Sequence, residues 1–376
     1  GMPALVLGQT RGNEWINYSQ TYYKINTSAN DVHRISPEAL QAAGIDLATI
    51  NLVNLQLFHR GQEVAIHIAD GGDGTLETGD YIEFYGRRND GTQDTELFYR
   101  AADQIHQYYN LFPDVTAFFL TQGVGAGKRM QSINADPSSF PVVNLHQQEL
   151  LNVQTRRFSF GQYYPIGNPA GEVKRSLYDR GQMFMSREII RSDYGISNSL
   201  NYLDLAMSNI VLQNEDSGKP ELSVQIVGFN NVRHNASVFV GPTTDDLRLI
   251  RGEVEFNYNN SATVNTQLEW TDIANGRVIV RVESGEVEGV SDNRIAVGHV
   301  KLTFPQRIDA QAEDKRIYLD AFNGSQRIEI ANVDGDVSLY DLTDYQSPIR
   351  ISGTVSANTF SAGIVNDANG KELLLK

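Results

Sequence analysis

Apolar and polar residues alternate along most of this chain with a period of two. That spacing buries one face of a β-strand and wets the other. Tyr22–Ile25, Glu63–Ile68, Tyr81–Tyr85 and Ala117–Leu120 carry the pattern in the first half; Glu221–Val227, Arg277–Val282, Val300–Phe304 and Arg327–Ile330 carry it in the second. Turn-forming pairs fall between such runs: Asp73-Gly74, Asp90-Gly91, Asn275-Gly276 and Asn323-Gly324. Asn275-Gly276 is the sharpest of them, because both residues accept the positive φ of a type I′ turn. It predicts a two-residue hairpin between Gln267–Ile273 and Arg277–Val282. One helix is predicted over 37–43: Ser36 can cap it, Pro37 opens its first turn and Gly44 stops it. Leu145–Leu151 carries a fainter helical signal. The pattern as a whole predicts an all-β, β-dominated fold.

Domain limits are read from where the pattern lapses. Asp136-Pro137-Ser138-Ser139-Phe140-Pro141 has loop composition, and strand signals stay sparse until Phe158. After 345 the periodicity fades again, and Ser356 to Gly370 is rich in Ser, Ala, Asn and Gly, so 346–376 reads as a linker or tail, or as a strand awaiting a partner. There is no convincing tandem repeat and no low-complexity tract.

Composition narrows the function. In 376 residues there are 46 acidic and 31 basic side chains, a net charge of −15. That balance argues against nucleic acid, whose affinity comes from Lys and Arg on phosphates, and against anionic membrane surfaces. The chain has no Cys, hence no disulfide, no thiolate zinc site and no thiol nucleophile. No stretch approaches the roughly 20 apolar residues that span a bilayer. Gly1 before Met2 reads as a tag remnant, so a signal peptide removed upstream is expected.

Four candidate chemistries stand out. Asp70, Asp73, Glu77 and Asp80 lie in a Gly-relieved loop, which offers the oxygens calcium wants, although their spacing is not that of an EF-hand. The competing reading is a solvated hairpin loop held by Asp-Gly turn chemistry. Gln122 to Arg129 has the look of a phosphate loop but lacks Gly at 122 and Ser or Thr after Lys128, so it reads as a strand connection. The histidines, His33, His59, His67, His106, His146, His234 and His299, show no paired metal spacing; His67 and His299 read as strand-face side chains. No Gly-x-Ser-x-Gly elbow is present. Tyr18, Tyr22, Tyr23, Phe98, Tyr99, Tyr108, Tyr109, Phe112, Tyr163 and Tyr164 are dense enough to stack on sugar rings of a surface polysaccharide, or to serve as core with a polar handle.

A series of short segments also resembles a known family. They are Trp15 with Tyr22-Tyr23-Lys24-Ile25, Val32-His33-Arg34-Ile35-Ser36, Leu40 to Ile45, Leu55 to Val64, and Gly79-Asp80-Tyr81-Ile82-Glu83-Phe84-Tyr85-Gly86. Tyr109 to Phe112, Ala117 to Thr121, Gly127-Lys128-Arg129, Val300 to Pro305 and Leu339 to Asp344 follow in order. Together they resemble the N-terminal region of gingipain-like cysteine peptidase precursors and of the type IX secretion sortase, over about 14–345. Phe184-Met185-Ser186-Arg187-Glu188 departs from it, standing where relatives often carry an aromatic pair and Gly-Glu. In that family these segments precede the peptidase domain and carry no catalytic residue, so none is carried over.

The combined expectation is a β-rich domain over 1–150, an antiparallel jelly-roll-like β-sandwich over 151–345, and 346–376 leading towards a downstream domain. The function expected is non-catalytic: a pro-region or accessory module of a secreted, outer-membrane-associated peptidase, with that peptidase domain as partner. The alternative is a free-standing glycan-binding or adhesive protein. A hydrolase on a β-sandwich would need converging carboxylates, which nothing in the sequence selects.

Overall fold

The computed structural model describes residues 12–143, 145–159, 177–195, 200–210, 218–311 and 313–376. Half of the chain is strand and 7% is helical, so the fold is all-β. The chain forms two compact units that interleave in sequence. Unit 1 is Gly1–Asn89, Asp114–Asn144 and Ile308–Lys376; unit 2 is Asp90–Pro113 and Leu145–Arg307.

Unit 1 opens with β1 (Tyr23–Thr27), β2 (Asp31–Ile35), α1 (Pro37–Ala42), β3 (Leu55–His59), β4 (Gln62–Val64), β5 (His67–Ala69), β6 (Tyr81–Gly86), β7 (Thr116–Gln122), β8 (Gln131–Ile133) and β9 (Val142–Val143). The predicted helix is α1, ending one residue earlier. The Ser36 side chain accepts from the Ala39 N–H, and Pro37 sits where no N–H is needed. Antiparallel sheets β1-β7-β3-β4 and β2-β6-β5 close around Leu57, Ile66, Ile82, Phe84, Phe118 and Leu120. In β3 the alternation is strict: Leu55, Leu57 and His59 are buried, Gln56 and Phe58 are not.

Unit 2 contains β10 (Leu145–Val153), β11 (Arg157–Phe158), β12 (Phe184–Met185), β13 (Ile189–Ser192), β14 (Tyr202–Ser208), β15 (Glu221–Gly228), β16 (Arg233–Thr243), β17 (Asp246–Asn257), β18 (Ser261–Gln267), β19 (Arg277–Ser284) and β20 (Asp292–Arg307). From β13 to β20 the strands alternate between two sheets, ordered β13-β20-β15-β18 and β14-β19-β16-β17, with one hairpin, β16–β17, inside a sheet. This is jelly-roll topology. Strand β20 is long enough to pair β10 along one half and β13 along the other. Leu222, Val224, Val238, Val240, Val280, Val282, Val300, Leu302 and Phe304 fill the space between the sheets. Each such side chain contributes about 1.5–3 kcal/mol of burial. The other face of the β20–β15 pair is covered by residues 90–113, where Phe98, Ile105 and Leu111 meet Met183, Met185, Val227 and Ala296.

The chain then returns to unit 1 through β21 (Lys315–Leu319), β22 (Gly324–Ile330), β23 (Leu339–Asp341), β24 (Ile349–Ile351), β25 (Thr354–Ser356), β26 (Thr359–Asn366) and β27 (Lys371–Leu375). These make sheets β21-β27-β23-β24-β8 and β25-β26-β22-β9 around Ile317, Ile328, Ile330, Leu339, Phe360 and Leu373. A further cluster of Ala65, Tyr85, Met130, Tyr340, Leu342 and Leu374 joins the two sandwiches of this unit.

Three local expectations are corrected. Segment 346–376 is not a linker: it supplies four strands, and Phe360, Ala362, Leu373 and Leu375 are buried. Its small residues fit because β26 packs tightly; a Cβ at Gly363 would come 2.8 Å from the Ala135 carbonyl oxygen. Leu145–Leu151 is strand, because nine residue pairs bind β10 to β20 and outweigh local propensity. Asn275 and Gly276 do take φ of 50° and 68°, as the turn requires. The turn is closed only by the Ala274–Arg277 bridge, however, because Gln267 ends a strand paired to β15 and residues 270–272 form a 3₁₀ turn.

Candidate functional site

The acidic loop between β5 and β6 is organised by its own backbone. Asp70 accepts from the N–H groups of Gly72 and Gly74 (both 3.2 Å), Asp73 from the N–H and hydroxyl of Thr75 (2.9 and 2.8 Å), and Asp80 from the Glu77 N–H (2.8 Å). The Thr75 hydrogen bonds hold the Asp73 carboxyl below its usual range. Gly71, Gly72 and Gly74 all have positive φ. Asp70, Asp73, Glu77 and Asp80 therefore share a loop in which turns take up three of the carboxylates. Among the described residues no group of three or more His, Asp or Glu side chains is placed to hold a metal ion.

The Gln122–Arg129 connection is fastened to neighbouring strands. The Lys128 N–H donates to Glu63 (2.7 Å), and Arg129 donates to the carbonyls of Leu55 and Val53 (both 3.0 Å). A Cβ at Gly127 would lie 1.8 Å from the Leu55 oxygen, so glycine serves close packing here, and no phosphate cradle forms.

A buried charged site lies inside unit 1, on β6. Glu83 is completely buried in a run that otherwise reads as core. It accepts from Arg34 Nε (2.9 Å) and from the Tyr340 hydroxyl (2.7 Å), and Arg350 Nε stands 3.6 Å away. Arg350 Nη1 lies 2.7 Å from His67 Nε2, so that nitrogen accepts and the ring is neutral. Burial and the Arg350 charge both push the His67 pKa down. Burial, with the hydrogen bond to Glu83, pushes the Tyr340 phenol up to about 12. Two guanidiniums and a phenol around one carboxylate satisfy a buried charge, and they tie β6 to β23 and β24. The sequence offers one signal for this site, a Glu at an otherwise apolar strand centre.

Outside that site, His59, His33, His234, His106 and His299 sit among packed or hydrogen-bonded neighbours. His59 stacks on Phe118 (4.2 Å, 11°) and bonds Thr116; burial lowers it to about 4. His234 is held by Asn293, and His33 by Thr27. His67 and His299 lie on strands, as their setting predicts. In unit 2, His106 and His299 meet edge to face at 5.6 Å with Tyr108 beside them; burial lowers them to about 3 and about 4.

Among the described residues the aromatic candidates are divided between the two units. Within unit 1, Trp15 stacks on Phe58 (5.1 Å) with Tyr22 against its edge (5.5 Å), and Tyr18 is exposed. Within unit 2, Phe98 is buried, Tyr109 packs on Phe184, and Tyr99 and Phe112 are exposed. Tyr163 and Tyr164 lie outside the described residues.

No described helix is long and apolar enough to cross a membrane. No family model matches the chain, and no curated protein matches its sequence. Among solved structures, latent dimeric PorU from Porphyromonas gingivalis is similar with a TM-score of 0.61 and 10% identity, over 94% of this chain. The chain spans 32% of the length of that protein. The glycoside hydrolase domain of Endo-D from Streptococcus pneumoniae (TM-score 0.19, 12% identity, 61% of this chain and 35% of that one) carries no argument. The same holds for the VP2 subviral particle of infectious bursal disease virus (0.23, 8%, 95% and 78%). At this identity the likeness to PorU is one of fold.

Proposed function

We propose that this chain is a non-catalytic accessory module of a gingipain-like, type IX secretion-related peptidase. It acts by packing against the catalytic domain or presenting it at the cell surface. One observation carries the reading: the fold follows that of PorU over 94% of this chain while spanning a third of that protein, which leaves room for a separate catalytic part. The ordered short matches to the same family agree with it. So does the absence of Cys, since a cysteine peptidase must then draw its thiolate from elsewhere in the precursor. Association would bury an outer sheet face of about 800 Å² on each side. The module is secreted or surface-bound in this reading.

The test is to mix the chain with the separately purified Cys–His peptidase domain of the same precursor. Calorimetry and peptidase assays should show association together with changed activity or stability of the peptidase. Absence of association at 100 μM of each partner contradicts the proposal.

A further inference from the structure

Unit 2 holds a cavity of about 480 Å³ lined by Arg100, Asp103, Arg180, Asn257, Asn259 and Asn260. Three tight turns build its wall. In the first, the Gln182 N–H donates to the Asp179 carbonyl (3.2 Å), and the Gln182 side chain accepts from the Asp179 N–H (2.6 Å). Gly181 takes φ 74° at the corner, which fixes Arg180 next to it. The second turn joins β17 to β18. There the Asn260 N–H donates to Asn257, the Asn260 carbonyl accepts from the Gly228 N–H (3.0 Å), and Asn259 Nδ2 donates to the Gly228 carbonyl (3.2 Å). The third is the 3₁₀ turn Ala101–Asp103.

The two arginines differ in their charge balance. Arg100 donates through Nε to Asp103 (3.0 Å), whose side chain is 4% exposed. Arg248 with Asp272, Arg281 with Asp204 and Arg294 with Asp292 are paired in the same way. Among the described residues Arg180 has no carboxylate ion-pair partner: Nη1 donates to Asn260 Oδ1 (3.0 Å), and its Nε is enclosed by protein. A half-buried guanidinium held by rigid turns at a cavity wall, without an ion-pair partner among the described residues, offers N–H donors that an oxyanion can meet. Of the two cavity arginines Arg100 is already paired with Asp103, so one guanidinium faces the ligand and a monoanion is favoured over a phosphate dianion. Asn257, Asn259, Asn260 and Ser261 line the same space and suit hydroxyl groups. We infer that this cavity binds a hydroxylated carboxylate, specifically a uronic acid residue of an acidic polysaccharide, with Arg180 holding the carboxylate.

The test uses the full chain and trigalacturonate, followed by calorimetry and ligand-observed NMR. Trigalacturonate should bind in the micromolar to millimolar range. Arg180→Gln should weaken it at least tenfold with unchanged near-ultraviolet circular dichroism, and Arg180→Lys should retain part of it. Should Arg180→Gln fail to fold, Asn260→Ser, which frees the guanidinium from its orienting amide, should weaken binding severalfold. The inference is overturned by no binding at 10 mM, by undiminished binding in a folded Arg180→Gln, by equal binding of neutral cellotriose or of butyrate, or by tighter binding of inorganic phosphate.

Discussion

Glu83 shows how much one side chain can be asked to hold. Its carboxylate is wholly buried, and the Tyr340 hydroxyl supplies one of its hydrogen bonds. Tyr340→Phe keeps the ring in the cluster with Tyr85 and Leu374 but leaves the carboxylate one donor short. That change should cost about 1–3 kcal/mol, read as a lower urea midpoint with an unchanged slope; an unchanged midpoint would remove the hub from the account. The histidines give a second residue-scale expectation. His59, His106 and His299 have folded pKa values lowered to about 4, about 3 and about 4, mainly by burial. The unfolded chain, with imidazoles near 6.5, therefore takes up protons first as pH falls. Their contribution is complete above pH 6.5 and is lost progressively towards pH 4 and below. Urea midpoints at pH 7.5, 5.5 and 4.5 should fall in that order, and His299→Gln should flatten the decline.

At the scale of elements, sequence and structure agree where the local signal and the tertiary partner point the same way. Ser36 and Pro37 start a helix that needs no distant help, and Val300, Leu302 and Phe304 alternate because one face of β20 is core. They part where the partner lies far along the chain. Residues 145–153 are strand because β20, far along the chain at 299–307, pairs with them, and the small side chains of 354–366 are strand because β26 pairs with β22. Glu83 stands out in the sequence only as a charge in an apolar strand, and Arg180 not at all, for a related reason: their partners, Tyr340 and Arg350 for the one and Asn260 for the other, are remote in sequence. The role of 346–376 can be checked directly. A chain ending at 345 loses β24–β27 and with them Phe360 and Leu373, so it should lose cooperative unfolding of this sandwich and become protease-sensitive between 308 and 345. A linker would be removed without either effect.

At the scale of the whole molecule, the interleaving of the units matters most. Residues 90–113 belong to unit 2 although unit 1 surrounds them in sequence. They cover Val227, Ala296, Met183 and Met185 on the outer face of a jelly-roll sheet. A fragment of 145–307 alone should therefore expose that apolar face, bind a hydrophobic dye and associate, whereas the full chain should not. The fold likeness to PorU extends over 94% of this chain, so it takes in stretches of both units. The most direct measurement is to read the source gene past the codon for Lys376. The proposed function expects the frame to run on into a domain bearing a Cys and His pair; a stop codon there would contradict it, leaving only the likeness of fold.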